Sequence, residues 1–297
     1  MKRAVSVSLG SSKRDKKVVV ELNGQKIEIE RRGTNGDKHQ AKALFEELDG
    51  QVDCLSVGGV DLHLPLEERK YPLHSALWLV ENVKNTPVVD GGGLKETLER
   101  RVWELAEPEL GEIPHFKSAF VPMAIDRPGL TMSAEEVSDE IIIGDLMVAL
   151  GIPISIRGFD KFKIVARFLL PFVSHFPMSM LFYGSSGKER DPKYQRFWRQ
   201  ADLIAGDFLF MRKHVIDDLE GKTVITNTTT EPNIEFLKER GVKKVITTTP
   251  RFDGRSFGTN MNEAMLTAYA GLGRTLTAEE LNALIDELNI RPTVIKF

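Results

Sequence analysis

Apolar and polar positions alternate over residues 17–22 and again over 26–30, with Asn23-Gly24 between them. That pattern predicts an N-terminal β-hairpin, because Asn-Gly suits the tight turn joining two twisted strands. Short β-branched or apolar runs at 4–9, 52–57 and 86–90 predict further strands. They alternate with helical spacing over 38–48, 73–83 and 94–105. Pro108, Gly111 and Pro114 make residues 107–116 the best linker. This divides the chain into an N-terminal α/β lobe, residues 1–110, and a C-terminal lobe, residues 111–297. In the second lobe strands are expected at 118–125, 140–143, 201–205, 223–226 and 245–248, with an edge strand at 291–295. Helices are expected at 131–137 and 232–240, and after Thr277, whose spacing to Glu280 is that of a capping box. The alternation predicts an α/β protein of two Rossmann-like lobes with mostly parallel sheets.

Residues 222–231 and 243–250 share one signature, a β-branched run that ends in polar residues, and a helical stretch joins them. Strand, helix, strand is a βαβ unit, and ligands of parallel sheets bind outside the carboxyl ends of the strands. Two such ends present Thr226, Asn227, Thr228 and Thr229 beside Thr247, Thr248 and Thr249. The loop that follows carries Arg255, Ser256 and Gly258. Threonine also favours strands for its own sake, so the same residues fit a purely structural reading.

Asp90-Gly91-Gly92-Gly93-Leu94-Lys95 has the order of an anion-binding loop: strand, glycines, helix N-terminus, then a lysine. Glycines let the backbone approach a ligand, and the free N–H groups of a helix start favour negative charge. Neither the Walker spacing nor Gly-x-Gly-x-x-Gly is present. A tight turn is the alternative reading. Asp90 is a candidate acid/base partner for Lys95, with a surface ion pair as the alternative, and Asp61, after Gly58-Gly59, is a candidate for the same cleft. Ser11 and Ser12, with Lys13 and Arg14, form a further candidate anion loop after the first strand. Asp145 stands about where a ribose-binding carboxylate would follow the strand near 118, although the glycine turn is missing.

With 40 Lys and Arg against 43 Asp and Glu, the net charge is −3, which gives no electrostatic case for nucleic-acid binding. Lone Cys54, in an apolar run, reads as core and permits no intrachain disulfide. The six histidines have no metal-ligand spacing. The start shows no signal peptide, which makes the cytoplasm the expected compartment. The apolar stretch 162–183 is broken by Lys163, Arg167, Pro171 and Pro177. It predicts a buried or partner-facing helix with a proline bend, and a homodimer contact, rather than stable membrane insertion.

Segments 5–12, 33–37, 88–95, 143–147, 205–207, 225–230 and 254–260 together resemble a bacterial family commonly labelled quinate 5-dehydrogenase. The resemblance spans almost the whole chain. It implies a quinate/shikimate-dehydrogenase-like oxidoreductase that acts on a hydroxylated carboxylic acid with NAD or NADP. Lys95 would assist proton transfer and Asp90 or Asp61 would orient it. Thr226, Asn227, Thr228, Thr229, Thr248, Arg255, Ser256, Gly258 and Asp145 would hold cofactor, and Gly91, Gly92, Gly93, Ser11 and Ser12 the substrate anion. The rival expectation is a cofactor-free α/β protein that binds a small anionic or polyhydroxylated ligand between its lobes.

Overall fold

Asn23 and Gly24 both adopt positive φ, as the two central residues of such a hairpin turn must, and join β2 (Lys16–Leu22) to β3 (Gln25–Gly33). The computed structural model describes residues 1–152, 154–177, 194–252 and 255–297. The chain divides into two units, each an α/β layer structure with a mostly parallel sheet. The first comprises Met1–Thr97, Leu170–Phe182 and Phe257–Asn289; the second comprises Leu98–Leu169, Tyr183–Ser256 and Ile290–Phe297. The division is therefore not one cut near residue 110. Residues 98–110 go with the second unit and residues 257–289 return to the first.

In the first unit β1 (Lys2–Ser8), β4 (Cys54–Gly58) and β7 (Val88–Val89) complete a five-stranded sheet in the order β2-β3-β1-β4-β7. Only β2 runs antiparallel to its neighbour. The sheet has one face of small residues. Ala4, Ser6 and Ser8 pair in register with Cys54, Ser56 and Gly58, while Val5 and Val7 pair with Leu55 and Val57 and, by strand alternation, point the other way. The small face admits the helix Thr259–Ala270, whose Asn260 Nδ2 donates to Ser6 Oγ at 2.9 Å and Ser56 Oγ at 3.2 Å. Cys54 lies beneath that helix, wholly buried, and burial pushes its thiol pKa up.

The second unit is built on a seven-stranded sheet. Its strands are β8 (Phe116–Val121), β9 (Ser138–Ile143), β10 (Ile156–Arg157), β11 (Leu203–Ala205), β12 (Thr223–Thr226), β13 (Lys244–Thr247) and β16 (Thr293–Lys296). The order is β10-β9-β8-β11-β12-β13-β16, with the five central strands parallel and both edges antiparallel. Phe120, Phe197 and Trp198 pack as an aromatic cluster in its core.

Three expected elements differ. The helix expected over 94–105 is broken into Gly92–Glu96 and Val102–Leu110, so the expected linker begins as helix, with Pro108 inside it. The helix expected over 73–83 shrinks to His74–Leu77. Ahead of it lies an unanticipated hairpin, β5 (His63–Leu66) with β6 (Arg69–Pro72), whose prolines argue against strand in a sequence reading. Of the stretch 162–183, residues 178–183 lie outside the described residues. The helix Phe159–Val173 buries Phe162, Ala166 and Leu170 and exposes Ile164, Phe168 and Phe172 on successive turns, with Pro171 inside it. Among the described residues no helix is long and apolar enough to cross a membrane.

Candidate functional site

In doubly wound sheets ligands bind at the carboxyl edge where strand order reverses. In the first unit that point lies between β1 and β4, in the second between β8 and β11. Each edge carries polar chemistry of its own.

At the first edge the loops after β1 and β4 touch: Leu9 N donates to Gly58 O at 2.9 Å. Lys95, 4 % exposed, places its Nζ 2.9 and 2.8 Å from the two oxygens of Asp61, which follows β4. Asp61 is thus the carboxylate on Lys95. Asp90 is directed elsewhere: its Oδ2 accepts Leu62 N at 2.7 Å and its Oδ1 accepts Gly92 N at 2.9 Å, so it ties the turn after β7 to the loop after β4.

The glycine triplet makes room for the protein itself. Gly91 has φ +99°, and a Cβ there would stand 2.9 Å from Asn260 N; one on Gly93 would meet Leu281 Cδ1 at 2.5 Å. The N–H groups of Gly93 and Leu94 are received by the buried Glu263 carboxylate, the latter at 3.3 Å. Gly91, Gly92 and Gly93 therefore form a turn braced by internal carboxylates, which corrects their expected role as anion ligands. Burial, followed by the charge of Asp90, pushes the Glu263 carboxyl up to about 8 against the backbone donors. Its proton is retained on folding, so this contribution to stability is complete below the ordinary Glu value and lost as pH rises through about 8. The limiting slope is about 1.4 kcal/mol per pH unit for one group. Denaturation midpoints at about pH 6 and about pH 9 are expected to fall in the wild type and to flatten in Glu263→Gln, which keeps an acceptor without the charge.

Ser11 and Ser12 sit in the loop after β1 but bond locally. Ser11 Oγ accepts Lys13 N at 3.2 Å, and Ser12 N and Oγ both reach Asn35 Oδ1. Beside them Arg31 donates to Ser8 Oγ at 2.9 Å, Ser11 O at 3.0 Å and Asp15 at 2.7 Å.

At the second edge the centre is Arg127, which was not among the expected site residues. Its guanidinium pairs with the fully buried Glu99, with Asp126 at 3.3 Å and with Asp207 at 3.1 Å. Asn227 Nδ2 donates to Asp207 at 2.6 Å, while Asn227 Oδ1 accepts Thr226 Oγ1 at 3.1 Å and Phe208 N at 3.3 Å. Thr226 and Asn227 thus join the Arg127 network. Thr228, Thr247 and Thr248 bury hydroxyl oxygens without a hydrogen-bond partner among the described residues, and Thr229 is 2 % exposed. Arg255 and Ser256 lie in β15 (Arg255–Ser256), which pairs with β14 (Arg251–Phe252). Gly258 belongs to the first unit, as the N-cap of the helix Thr259–Ala270. The nine residues expected to hold one cofactor are thus divided between two units.

NAD or NADP does not fit the turn after β8. Asp145, the expected ribose ligand, is buried and accepts Ala124 N at 2.7 Å and Ile125 N at 3.0 Å; burial pushes its carboxyl up to about 7. The helix that follows has Pro128 in its first turn, which removes a backbone donor. Among the described residues no group of three His, Cys, Asp or Glu could hold a metal ion.

Two doubly wound sheets, each with a polar carboxyl edge, define a mixed α/β protein. The chain belongs to the family described as Domain of unknown function (DUF8754), whose model matches residues 93–297; a second model, DUF8753, matches residues 3–90. No curated protein matches the chain. Similar solved structures include a crystal structure from Mycobacterium smegmatis, 11 % identical, covering 100 % of this chain and 91 % of its own, with TM-score 0.34. Another from Mycobacterium smegmatis, in complex with Beta-D-Fucofuranose, is 9 % identical over 100 % and 91 %, with TM-score 0.34. Aspartate transcarbamoylase from Trypanosoma cruzi, in complex with carbamoyl aspartate and phosphate, is 10 % identical over 92 % and 82 %, with TM-score 0.32. At that level of superposition they bear on neither ligand nor activity.

Proposed function

We propose that the first unit binds a small hydroxylated carboxylic acid at the carboxyl edge of its sheet, with Lys95 and Asp61 meeting a ligand hydroxyl. The observation that carries this reading is the Lys95–Asp61 pair itself, a nearly buried ammonium with both carboxylate oxygens within 2.9 Å. Asp61 keeps the ammonium oriented, and its side chain, 20 % exposed, is the part of the pair open to a ligand. Such a couple can accept and return a hydroxyl proton when the acid is bound. The resemblance to quinate 5-dehydrogenase adds the substrate class. Oxidation of that hydroxyl would need a hydride acceptor, and the engaged Asp145 carboxylate with Pro128 at the helix start argue against a dinucleotide at the turn after β8. Binding without a cofactor is therefore the preferred form.

Calorimetric titration with quinate and shikimate tests the reading, alongside fluorescence titration with NADH and NADPH. One of the acids is expected to bind, with affinity lowered about tenfold or more in Lys95→Met, as loss of a charged hydrogen bond predicts. Equal binding by Lys95→Met would remove Lys95 from the site. Tight binding of either nucleotide would restore the dehydrogenase reading.

A further inference from the structure

Two guanidinium groups crowd Gly10, the second residue after β1. A Cβ built on Gly10 would lie 2.5 Å from Arg14 Nη2 and 2.9 Å from Arg31 Nη2, so both cations occupy the space beside the one residue that leaves it open. Their charges are not balanced alike. Arg31 is tied to Asp15 at 2.7 Å and is largely buried, its side chain 11 % exposed. Arg14 makes no side-chain hydrogen bond or ion pair among the described residues, and exposed Lys13 adds a further positive charge. Burial, followed by the Arg14 charge, holds the Arg31 pKa below the ordinary arginine value. Two like charges this close repel one another unless an anion stands between them.

The position matters as much as the charge. The loop follows β1 at the point where the strand order of the first sheet reverses, and Gly59 packs against Leu9 and Gly10. Asp61 lies two residues beyond Gly59, so the Lys95–Asp61 pair belongs to the same edge. Planar guanidinium forks match the oxygens of carboxylate and phosphate.

We propose that Arg14 and Arg31, above Gly10, form the receptor for a ligand oxyanion, a carboxylate or a phosphate, at the carboxyl edge of the first sheet. This deepens the binding reading and depends on it only for the identity of the anion. Arg14 captures the charge and Arg31, fixed by Ser8, Ser11 O and Asp15, sets its direction. Gly10 is required because any side chain there would fill the anion's place.

The test is calorimetric titration of the full chain with inorganic phosphate and, separately, quinate, repeated with the two in competition. Arg14→Gln is the chosen variant because Arg14 holds no other contact that folding needs. Wild type is expected to bind at least one probe, and Arg14→Gln to lose about tenfold or more of that affinity. Gly10→Ala is expected to weaken the same probe, because its methyl displaces Arg14 Nη2 and crowds Arg31 Nη2. Competition between phosphate and quinate identifies the anion as the acid's carboxylate. Independent binding, with only phosphate sensitive to Arg14→Gln, assigns the receptor to a phosphate. Equal affinity of wild type and Arg14→Gln for both probes overturns the proposal, as does binding of neither. Lys95→Met separates the two readings: phosphate binding that survives in it while quinate binding fails leaves the receptor standing by itself.

Discussion

Arg127→Met is expected to destabilise the second unit by about 3–5 kcal/mol, the range for removing one partner of a buried ion pair. Glu99 is 0 % exposed at its side chain and Arg127 7 %, so water cannot replace the lost guanidinium. Asp126 and Asp207 lose the same cation, and with it the contact that holds the turn after β8 to the turn after β11. Asp207 keeps Asn227 and the Phe210 N–H, so that part of the network survives. The double change Arg127→Met with Glu99→Leu is expected to recover most of the loss, since a hydrophobic pair of similar volume avoids the stranded charge. Urea denaturation of the wild type and the two variants measures this. A loss under about 1 kcal/mol in the single variant would mean that the carboxylates stay hydrated, as in a surface pair.

Gly91→Ala is the second large effect expected, about 2–5 kcal/mol. A positive φ costs an L-residue about 1–2 kcal/mol, and overpacking against a fixed neighbour adds about 1–3 kcal/mol. Here φ is +99° and the nearest atoms are backbone, Asn260 N at 2.9 Å and Asn260 Cα at 3.2 Å, which cannot rotate away. Gly24→Ala is the control. Its φ is +81° but nothing lies within 4 Å of the new methyl, so only the conformational cost of about 1–2 kcal/mol is expected. Equal losses at the two sites would show that the helix Thr259–Ala270 gives way freely.

These two sites also mark where the sequence was legible and where it was not. Local signals read well. Asn23-Gly24 closes its hairpin, the helix Lys38–Leu48 has the bounds its periodicity suggests, and Thr277 with Glu280 makes the capping box. The strand, helix, strand unit of β12 and β13 is also as read. Contacts between residues distant in the chain were not readable. The triplet at 91–93 has the composition of a ligand loop, yet the groups that fill it, Glu263 and Asn260, come about 170 residues later. Glu99 and Asp207 are 28 and 80 residues from Arg127, so no spacing rule joins them. The break in the helix expected over 94–105 has a similar origin. Thr97 turns its hydroxyl back to Gly93 O at 2.7 Å, and Glu99 serves Arg127 rather than a helical face. Aspartates with glycine neighbours are common to turns and to catalytic edges; only the tertiary contact sends Asp61 to Lys95 and Asp90 to backbone N–H groups.

The small-residue face of the first sheet has a consequence for how the chain is made. Ala4, Ser6, Cys54 and Ser56 are synthesised about two hundred residues before the end of their cover, the helix Thr259–Ala270. Until that helix is made, the nascent sheet lacks the contacts that Asn260 gives Ser6 and Ser56. Native packing of the amino-terminal strands therefore waits for residues 259–270, and a fragment ending at residue 97 would lack the helix that closes its fold.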